Sequence, residues 1–350
     1  MSPTNKIHSP RATLIPFLTA KEAAILAYTP NCLPGARDVE TFYGTMRVYE
    51  WGPASNKVLF VHGDATPSPI FSKIAQGLVD AGHRVMLFDL WGRGYSDTPL
   101  NCRHDIRLFE SQILLALASS PISWTGSGCG FSIVGFSLGG PIALAFAGAF
   151  PELVHSVVLL GPAGLLRKLP EGYDDQLMHN PEAAPSQEAI REKVRQILGL
   201  APSPSPNVQL SQDWALPFKT SKSRVEQSFN LGAVLQWQFD HHQGHVHSFQ
   251  DTIRYGPARG SEDSWAMACG IIAGRTRPDS ALHNSKLLVL FGQDDDIVDG
   301  KEITEQILEL LPPDHLQIKY MPGDHGFPYP NSEMIAKTLL SFWDPKHSKI

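Results

Sequence analysis

Cysteine is scarce in this sequence and is not arranged for cross-linking or metal binding. The chain has four cysteines among 350 residues, and they lie far apart, at Cys32, Cys102, Cys129 and Cys269. No two of them form a Cys-x-x-Cys pair, so the sequence predicts neither a disulfide framework nor a zinc site. This usage is typical of a reducing, intracellular compartment.

Excess positive charge and long apolar runs are also missing. The 29 Lys and Arg residues are outnumbered by 35 Asp and Glu, for a net charge of -6, which does not favour nucleic acid or an anionic membrane. No apolar run approaches the roughly 18 residues of a membrane helix, and the N-terminus lacks the continuous apolar segment of a secretory signal. We therefore expect a small-molecule partner and no membrane span. Nothing in the sequence assigns an oligomeric state.

Short apolar runs alternate with helical segments in two parts of the chain. The runs are typical of buried parallel strands and lie at 57–61, 83–90, 131–136, 156–160, 286–291 and 316–321. A looser alternation over 43–51 predicts an edge hairpin. The pattern as a whole predicts an α/β fold, with a mainly parallel central sheet flanked by helices on both faces.

Residues 164–283 interrupt this alternation. They contain helical patterns, such as the one over 187–198, but no strand period. We expect an inserted helical lid here, above the strand ends, with the core formed by residues 43–163 and 284–350. Residues 1–42 are predicted to be an N-terminal extension packed on the body.

A glycine-rich turn joins one of the predicted strands to a helix of small residues. It reads Gly135-Phe-Ser137-Leu-Gly139 and follows an apolar run directly. The glycines permit a turn so tight that the serine adopts a strained backbone with its hydroxyl exposed. Strand, turn and helix together predict a nucleophile elbow with Ser137 as the nucleophile.

A serine hydroxyl is a poor nucleophile without a general base and a carboxylate that orients the base. Three adjacent aspartates, Asp294, Asp295 and Asp296, follow one late strand, and His325 follows the next. Both positions are carboxyl ends of strands, where parallel α/β sheets collect their reactive groups. We expect His325 to be the base and one of the aspartates to orient it.

Four segments, taken in this order, resemble the α/β-hydrolase fold family. Residues 58–63 resemble the strand that leads to the family's oxyanion loop, and 89–97 resemble its Asp-x-x-Gly-x-Gly-x-Ser turn. The other two segments are the elbow and Gly-Asp-His-Gly at 323–326. The resemblance covers about 43–163 and 284–343, and it implies an α/β-hydrolase fold with a helical lid.

The resemblance also implies roles for single residues. The family pattern Gly-x-x-Asp-x-Ile/Val-Val begins at Gly292 and selects Asp295 as the orienting acid. The oxyanion hole is expected from the backbone N–H groups of Leu138, which follows the nucleophile, and of Asp64, on the loop after the first core strand. A carboxylate would oppose a developing negative charge, so we expect Asp64 to turn away or to be paired. His62 is expected to be structural.

The type of nucleophile reduces the number of reactions that the predicted fold could catalyse. Haloalkane dehalogenases and epoxide hydrolases resemble this architecture but carry aspartate at the elbow. Serine predicts attack on the carbonyl of an apolar ester, lactone or acyl thioester, followed by hydrolysis of an acyl-enzyme without a cofactor.

Three alternatives to this reaction stay open. They are a carbon–carbon bond hydrolase, an amide or aminopeptidase-type hydrolase, and a non-catalytic ligand-binding protein of the same fold. An aminopeptidase would keep an acidic lid site for the substrate's amino group. The candidates for that site are Glu188, Glu192, Asp213 and Glu226.

The predicted lid contains a histidine cluster and several large aromatic residues. His241 and His245 have metal-ligand spacing for a helix, but Gly244 weakens a continuous helix and no glutamate base accompanies them. We therefore expect a hydrogen-bonded hinge between lid and body, and no metal. The aromatic residues that could line a substrate pocket or form the lid core are Trp214, Phe218, Phe229, Trp237, Phe239 and Trp265.

The C-terminal tripeptide resembles a targeting signal. Ser348-Lys349-Ile350 differs only in its last aliphatic residue from the peroxisomal Ser-Lys-Leu address. The predicted location is therefore cytoplasmic or peroxisomal.

Overall fold

The structure is a computed structural model that describes residues 5–24, 26, 29–126, 128–180, 184, 186–201, 230–275 and 286–344. The strands are β1 Lys6–Ile7, β2 Arg37–Thr41, β3 Gly44–Trp51, β4 Lys57–Val61, β5 Arg84–Phe88, β6 Thr98–Pro99, β7 Phe131–Phe136, β8 Val154–Leu160, β9 Leu287–Gly292 and β10 Leu316–Met321. The first six helices are α1 Pro10–Thr13, α2 Ala20–Ala24, α3 Ser72–Asp80, α4 Ile106–Ala118, α5 Gly139–Ala149 and α6 Gln176–His179. The others are α7 Gln187–Ile197, α8 Leu231–His241, α9 His245–Tyr255, α10 Glu262–Gly274, α11 Gly300–Leu310 and α12 Ser332–Trp343.

Eight of the strands form one sheet in the order β10-β9-β8-β7-β4-β5-β3-β2. The six strands from β10 to β5 run parallel, whereas β3 is antiparallel to β5 and β2 is antiparallel to β3. The predicted α/β fold with a mainly parallel central sheet is therefore confirmed. The remaining strands, β1 and β6, form a separate antiparallel pair.

Both faces of the sheet are apolar, because successive side chains along a strand point to opposite sides. Leu59 and Val61 of β4 pack in one core cluster, together with side chains of α4, α5, α10 and α11. Val58 and Phe60 of the same strand pack in the other cluster, together with side chains of α3 and α12. Burial on both faces explains why the strands form continuous apolar runs in the sequence instead of an alternating pattern.

The register of the central strands determines where their ends lie. Val61, the last residue of β4, pairs with Gly135 near the end of β7. Met321, the last residue of β10, pairs with Gly292, the last residue of β9. The loops that follow these strands therefore leave the sheet at the same edge, where parallel α/β sheets carry their sites.

The edge hairpin begins earlier than the sequence predicted. We expected it within 43–51 and placed 1–42 in an N-terminal extension, but β2 already pairs with β3 through Thr41 and Gly44. Polar residues make β2 difficult to recognise, and it is stabilised by an ion pair between Arg37 Nη2 and Glu50 Oε2 at 2.8 Å.

The segment predicted to be the lid contains two structural parts. Between β8 and β9, the described residues form helices α6 to α10 and no strand. Met178, Val194, Phe239, Phe249 and Ile253, from α6 to α9, form a small apolar cluster of their own. The last helix, α10, instead packs on the core helix α5, so the body includes part of the predicted 164–283 insertion.

Trp265 of α10 was considered for the lid core or the substrate pocket, and it lies in the main core cluster instead. Trp214, Phe218 and Phe229, as well as the C-terminal tripeptide 348–350, are outside the described residues. Within the described part of the chain, no helix has the length and apolar character needed to cross a membrane.

The position of α10 in the core can be tested by truncating two side chains of that helix. Trp265 is 1% exposed and Met267 is 50% exposed. Trp265→Ala should lower the free energy of unfolding by about 3–5 kcal/mol because it leaves a cavity. Met267→Ala, the matched control, should lower it by about 1 kcal/mol or less. Urea unfolding monitored by circular dichroism measures both, and equal losses would contradict a core position for α10.

Candidate active site

Ser137 lies on a sharp turn between β7 and α5. Its φ is 51°, and it is the one non-glycine residue with positive φ in the part of the chain that the structure describes. The glycines on either side are required by close contacts. A Cβ added at Gly135 would lie 2.2 Å from the carbonyl oxygen of Gly139, and one at Gly139 would lie 2.0 Å from that of Val61. The left-handed backbone costs roughly 1–2 kcal/mol, and strain of this kind is characteristic of functional sites.

His325, on the loop after β10, contacts Ser137 and Asp295 through its two ring nitrogens. Nε2 lies 2.9 Å from Ser137 Oγ, and Nδ1 lies 2.8 Å from Asp295 Oδ2. An ionised carboxylate only accepts hydrogen bonds, so Nδ1 carries the hydrogen and Nε2 accepts from the serine hydroxyl. The imidazole also packs on the Phe136 ring at a centroid distance of 5.0 Å.

Of the three adjacent aspartates, Asp295 is the one that contacts the histidine. Its side chain is 1% exposed, and Oδ1 accepts hydrogen bonds from the N–H groups of Ile297 at 3.0 Å and Val298 at 2.9 Å. Asp294 and Asp296 are exposed. The carboxylate is thus held by two backbone donors on one oxygen while the other oxygen faces His325.

The two proposed oxyanion donors belong to segments that lie next to Ser137. A Cβ added at Gly63 would lie 3.1 Å from Ser137 Cβ, so the loop that carries Asp64 passes directly beside Ser137. Leu138 is the N-cap residue of α5. Within the described part of the chain, neither the Asp64 nor the Leu138 backbone N–H donates a hydrogen bond. An oxyanion hole needs N–H donors that are free to bond the substrate, and these two N–H groups meet that requirement among the described residues.

Comparison with known proteins identifies the family. The family model for the alpha/beta hydrolase fold matches residues 56–331, which is well over half of the chain. The chain belongs to the α/β-hydrolase fold family. The resemblance noted from four sequence segments is therefore confirmed.

Individual relatives match this α/β hydrolase over only part of its length and at moderate sequence identity. A "serine hydrolase-like protein" of Danio rerio is 29% identical over 171 residues, which are 45% of this chain and 50% of that protein. A 2-hydroxymuconate semialdehyde hydrolase of Pseudomonas sp. (strain CF600) is 34% identical over 101 residues, which are 29% of this chain and 34% of that protein. The matches thus span half or less of these relatives.

Among solved structures, the esterase RhEst1 from Rhodococcus sp. ECU1013 has a similar fold. The TM-score is 0.58 at 18% sequence identity, over 88% of this chain and 98% of that one. A likeness at this identity supports the fold.

The Asp64 side chain is paired in this α/β hydrolase. Its Oδ1 accepts a hydrogen bond from the guanidinium of Arg93, on the loop after β5, and the Arg93 side chain is fully buried. Burial raises the pKa of the Asp64 carboxyl, and the charge of Arg93 opposes that rise. Sequence reasoning expected Asp64 to turn away or be paired but did not name the partner. The available signal was an arginine within the 89–97 motif.

His62 supports the same loop. Its Nε2 accepts a hydrogen bond from the Leu90 N–H at 2.8 Å, and its Nδ1 donates to the Gly63 carbonyl oxygen at 2.8 Å. Burial lowers the pKa of His62 to about 3. A neutral imidazole with both nitrogens bonded to the backbone has a structural role.

The lid histidines connect the lid to the body. His241 ends α8 and His245 begins α9, so the two do not share one helix face. His242 Nε2 donates to the Ser96 carbonyl oxygen at 2.8 Å, and His245 Nδ1 donates to the Gly92 carbonyl oxygen at 3.2 Å. The described residues contain no group of three side chains suited to hold a metal ion.

Buried neutral histidines make stability depend on pH. Burial lowers the pKa of His242 to about 4, whereas an unfolded histidine titrates near 6.5. Below about pH 6.5 the unfolded state binds a proton that the native state does not bind. The free energy of unfolding therefore decreases as the pH is lowered from about 6.5 to about 4.

His242→Gln keeps a donor for Ser96 but cannot take up a proton. Between pH 7.5 and 5.0 the variant should lose about 2 kcal/mol less of its free energy of unfolding than the wild type loses. Urea unfolding at both pH values measures the two losses, and the values at pH 7.5 correct for the direct effect of the substitution. Equal losses would show that His242 does not contribute.

Proposed function

We propose that the protein is a serine hydrolase that cleaves an apolar carboxylic ester, lactone or acyl thioester through an acyl-enzyme. The observation that carries the proposal is the continuous connection Ser137–His325–Asp295, with distances of 2.9 Å and 2.8 Å. The strained backbone of the serine and the two unpaired N–H groups beside it also support the proposal.

The geometry suggests a role for each group. His325 accepts the Ser137 proton as the hydroxyl attacks the substrate carbonyl, then returns it to the leaving group. Asp295 fixes the imidazole tautomer and stabilises the imidazolium, and its own orientation is held by two backbone donors. The N–H groups of Leu138 and Asp64 receive the negative charge that develops on the carbonyl oxygen. Water then hydrolyses the acyl-enzyme by the same steps in reverse.

An apolar substrate is supported by what lies above the catalytic loop. A Cβ added at Gly326, the residue after His325, would lie 3.2 Å from Leu231 Cδ2 at the start of α8. The lid thus places an aliphatic side chain against the loop that carries His325. The described aromatic residues of the lid give less support for an apolar substrate pocket, because Trp237 packs against Tyr95 and Phe239 packs in the lid cluster.

A carbon–carbon bond hydrolase is the second candidate. The specific support is the similarity to a 2-hydroxymuconate semialdehyde hydrolase. Such an enzyme also keeps Ser-His-Asp, so the site geometry fits both reactions.

An aminopeptidase has less support in the described lid. Glu192 is ion-paired with Arg195, and Glu188 is exposed at the start of α7. Asp213 and Glu226 lie outside the described residues. A purely ligand-binding protein would not need the connected triad.

A fluorophosphonate probe tests the nucleophile. The wild type should be labelled covalently, and Ser137→Ala should not be labelled, because the probe reacts with an activated serine. Asp295→Asn should retain Ser137 but lose about 10⁴-fold in kcat, because it removes the carboxylate that fixes the histidine tautomer. Mass spectrometry of the labelled chain and initial rates on p-nitrophenyl esters provide the readouts. Absence of wild-type labelling would refute the proposal.

A pair of substrate classes separates the two reactions. We expect turnover of p-nitrophenyl butyrate and of an aliphatic thioester at kcat/KM at least about 100-fold above that of a vinylogous diketone, because acyl transfer needs no proton donor at carbon. The Ser137→Ala variant corrects for background hydrolysis. The opposite preference would favour the carbon–carbon bond hydrolase.

A further inference from the structure

Arg93 makes more hydrogen bonds than a simple partner of Asp64 needs. Its Nε donates to the Asp64 carbonyl oxygen at 2.9 Å, Nη1 donates to the Trp91 carbonyl oxygen at 2.7 Å, and Nη2 donates to Thr252 Oγ1 at 2.9 Å. Nη2 also bonds the Asp64 carboxylate, and Nη1 bonds Ser248 Oγ. All five N–H donors of the guanidinium thus have an acceptor, and no part of the side chain is exposed.

We propose that Arg93 is a positioning residue that holds Asp64, the second oxyanion donor, in place and couples it to lid helix α9. The proposal rests on the proposed function. Arg93 contacts Asp64 at two points, the carbonyl and the carboxylate, so it restrains the side chain of that residue and the peptide that follows it. The preceding peptide, which carries the Asp64 N–H, is held by His62 Nδ1 through the Gly63 carbonyl oxygen. Ser248 and Thr252 of α9 in turn hold Arg93.

The next peptide of the same loop is held by a second lid residue. Gln238 of α8 donates from Nε2 to the Ala65 carbonyl oxygen at 2.7 Å and accepts at Oε1 from the Gly94 N–H at 2.7 Å. Two consecutive carbonyls of the oxyanion loop are therefore bonded to side chains that reach the lid. A backbone donor contributes to catalysis only if it is fixed before charge develops, so this bracing acts on the chemical step more than on substrate binding.

The positive charge of Arg93 also neutralises the Asp64 carboxylate. Asp64 would otherwise place an uncompensated, mostly buried carboxylate beside the point where a negative charge forms. Neutralisation alone and positioning predict different results when both charges are removed. If Arg93 only neutralises Asp64, removal of both charges restores activity; if it positions the loop, activity stays low.

The experiment compares kcat and KM of full-length variants on a p-nitrophenyl ester. Arg93→Met should lower kcat by about 10- to 100-fold, the range for a small misplacement of a catalytic group, with KM changed less than about threefold. Arg93→Met/Asp64→Asn should stay as impaired as the single variant. Arg93→Lys keeps the charge but cannot form all five hydrogen bonds, so its kcat should lie between those of the wild type and Arg93→Met. The lysine variant replaces Arg93→Met in the comparison if Arg93→Met fails to fold.

Arg84→Met is the matched control. Arg84 Nε also pairs with a buried carboxylate, Glu50, at 3.0 Å. However, Arg84 is the first residue of β5, at the amino-terminal end of the strand, whereas the site lies at the carboxyl ends of the parallel strands. The control should lower the unfolding midpoint and retain the wild-type kcat of the folded fraction. Wild-type kcat in Arg93→Met, recovery in the double variant, or an equal loss of kcat in Arg84→Met would each overturn the proposal. Absence of fluorophosphonate labelling in the wild type would instead refute the proposed function itself.

Discussion

The left-handed backbone of Ser137 is the constraint on which the site depends. Such a turn is stable only where strand, helix and neighbouring backbone come close together, and glycines on both sides make that approach possible. The same close packing brings the end of β4 beside the end of β7, so the loop with Asp64 lies beside Ser137. The strain is thus offset by the core on both faces of the sheet, and the sheet register then determines where every other group of the site can lie.

That Ser137, His325 and one of the aspartates lie together could be predicted from the sequence because each position has local features. Ser137 lies within a glycine turn between an apolar strand and a helix, and His325 lies on the loop that follows a strand. Asp295 needed the family pattern, since three aspartates were equally possible from the residues alone. The structure adds the physical reason for the choice: Asp295 alone among them is buried and held by two backbone donors.

What could not be predicted depends on contacts between distant parts of the chain. The partner of Asp64 is Arg93, and the lid contact of Ala65 is Gln238. The arginine within the 89–97 motif was visible in the sequence, but nothing there paired it with Asp64, and Gln238 has no such signal. The helix period of α10 is the same for a lid helix and a core helix, so its packing on α5 was missed. The edge strand β2 was missed because its polar residues give little alternation, and its pairing with β3 supplies the stability instead.

The loop between β5 and β6 contacts three otherwise separate parts of the molecule. Arg93 reaches the oxyanion loop, the Ser96 carbonyl accepts from His242 of the lid, and Asp97 accepts from the Ser9 N–H of the N-terminal segment at 2.8 Å. Because these contacts converge on one short buried loop, a displacement of that loop would leave polar groups unsatisfied in all three parts at once. The N-terminal segment, although remote from Ser137 in sequence, is thereby bonded to the same loop as the start of α9. We therefore expect α8 and α9, whose side chains bond the loops of Arg93 and Asp64, to be held against the body and not to move as an independent cover.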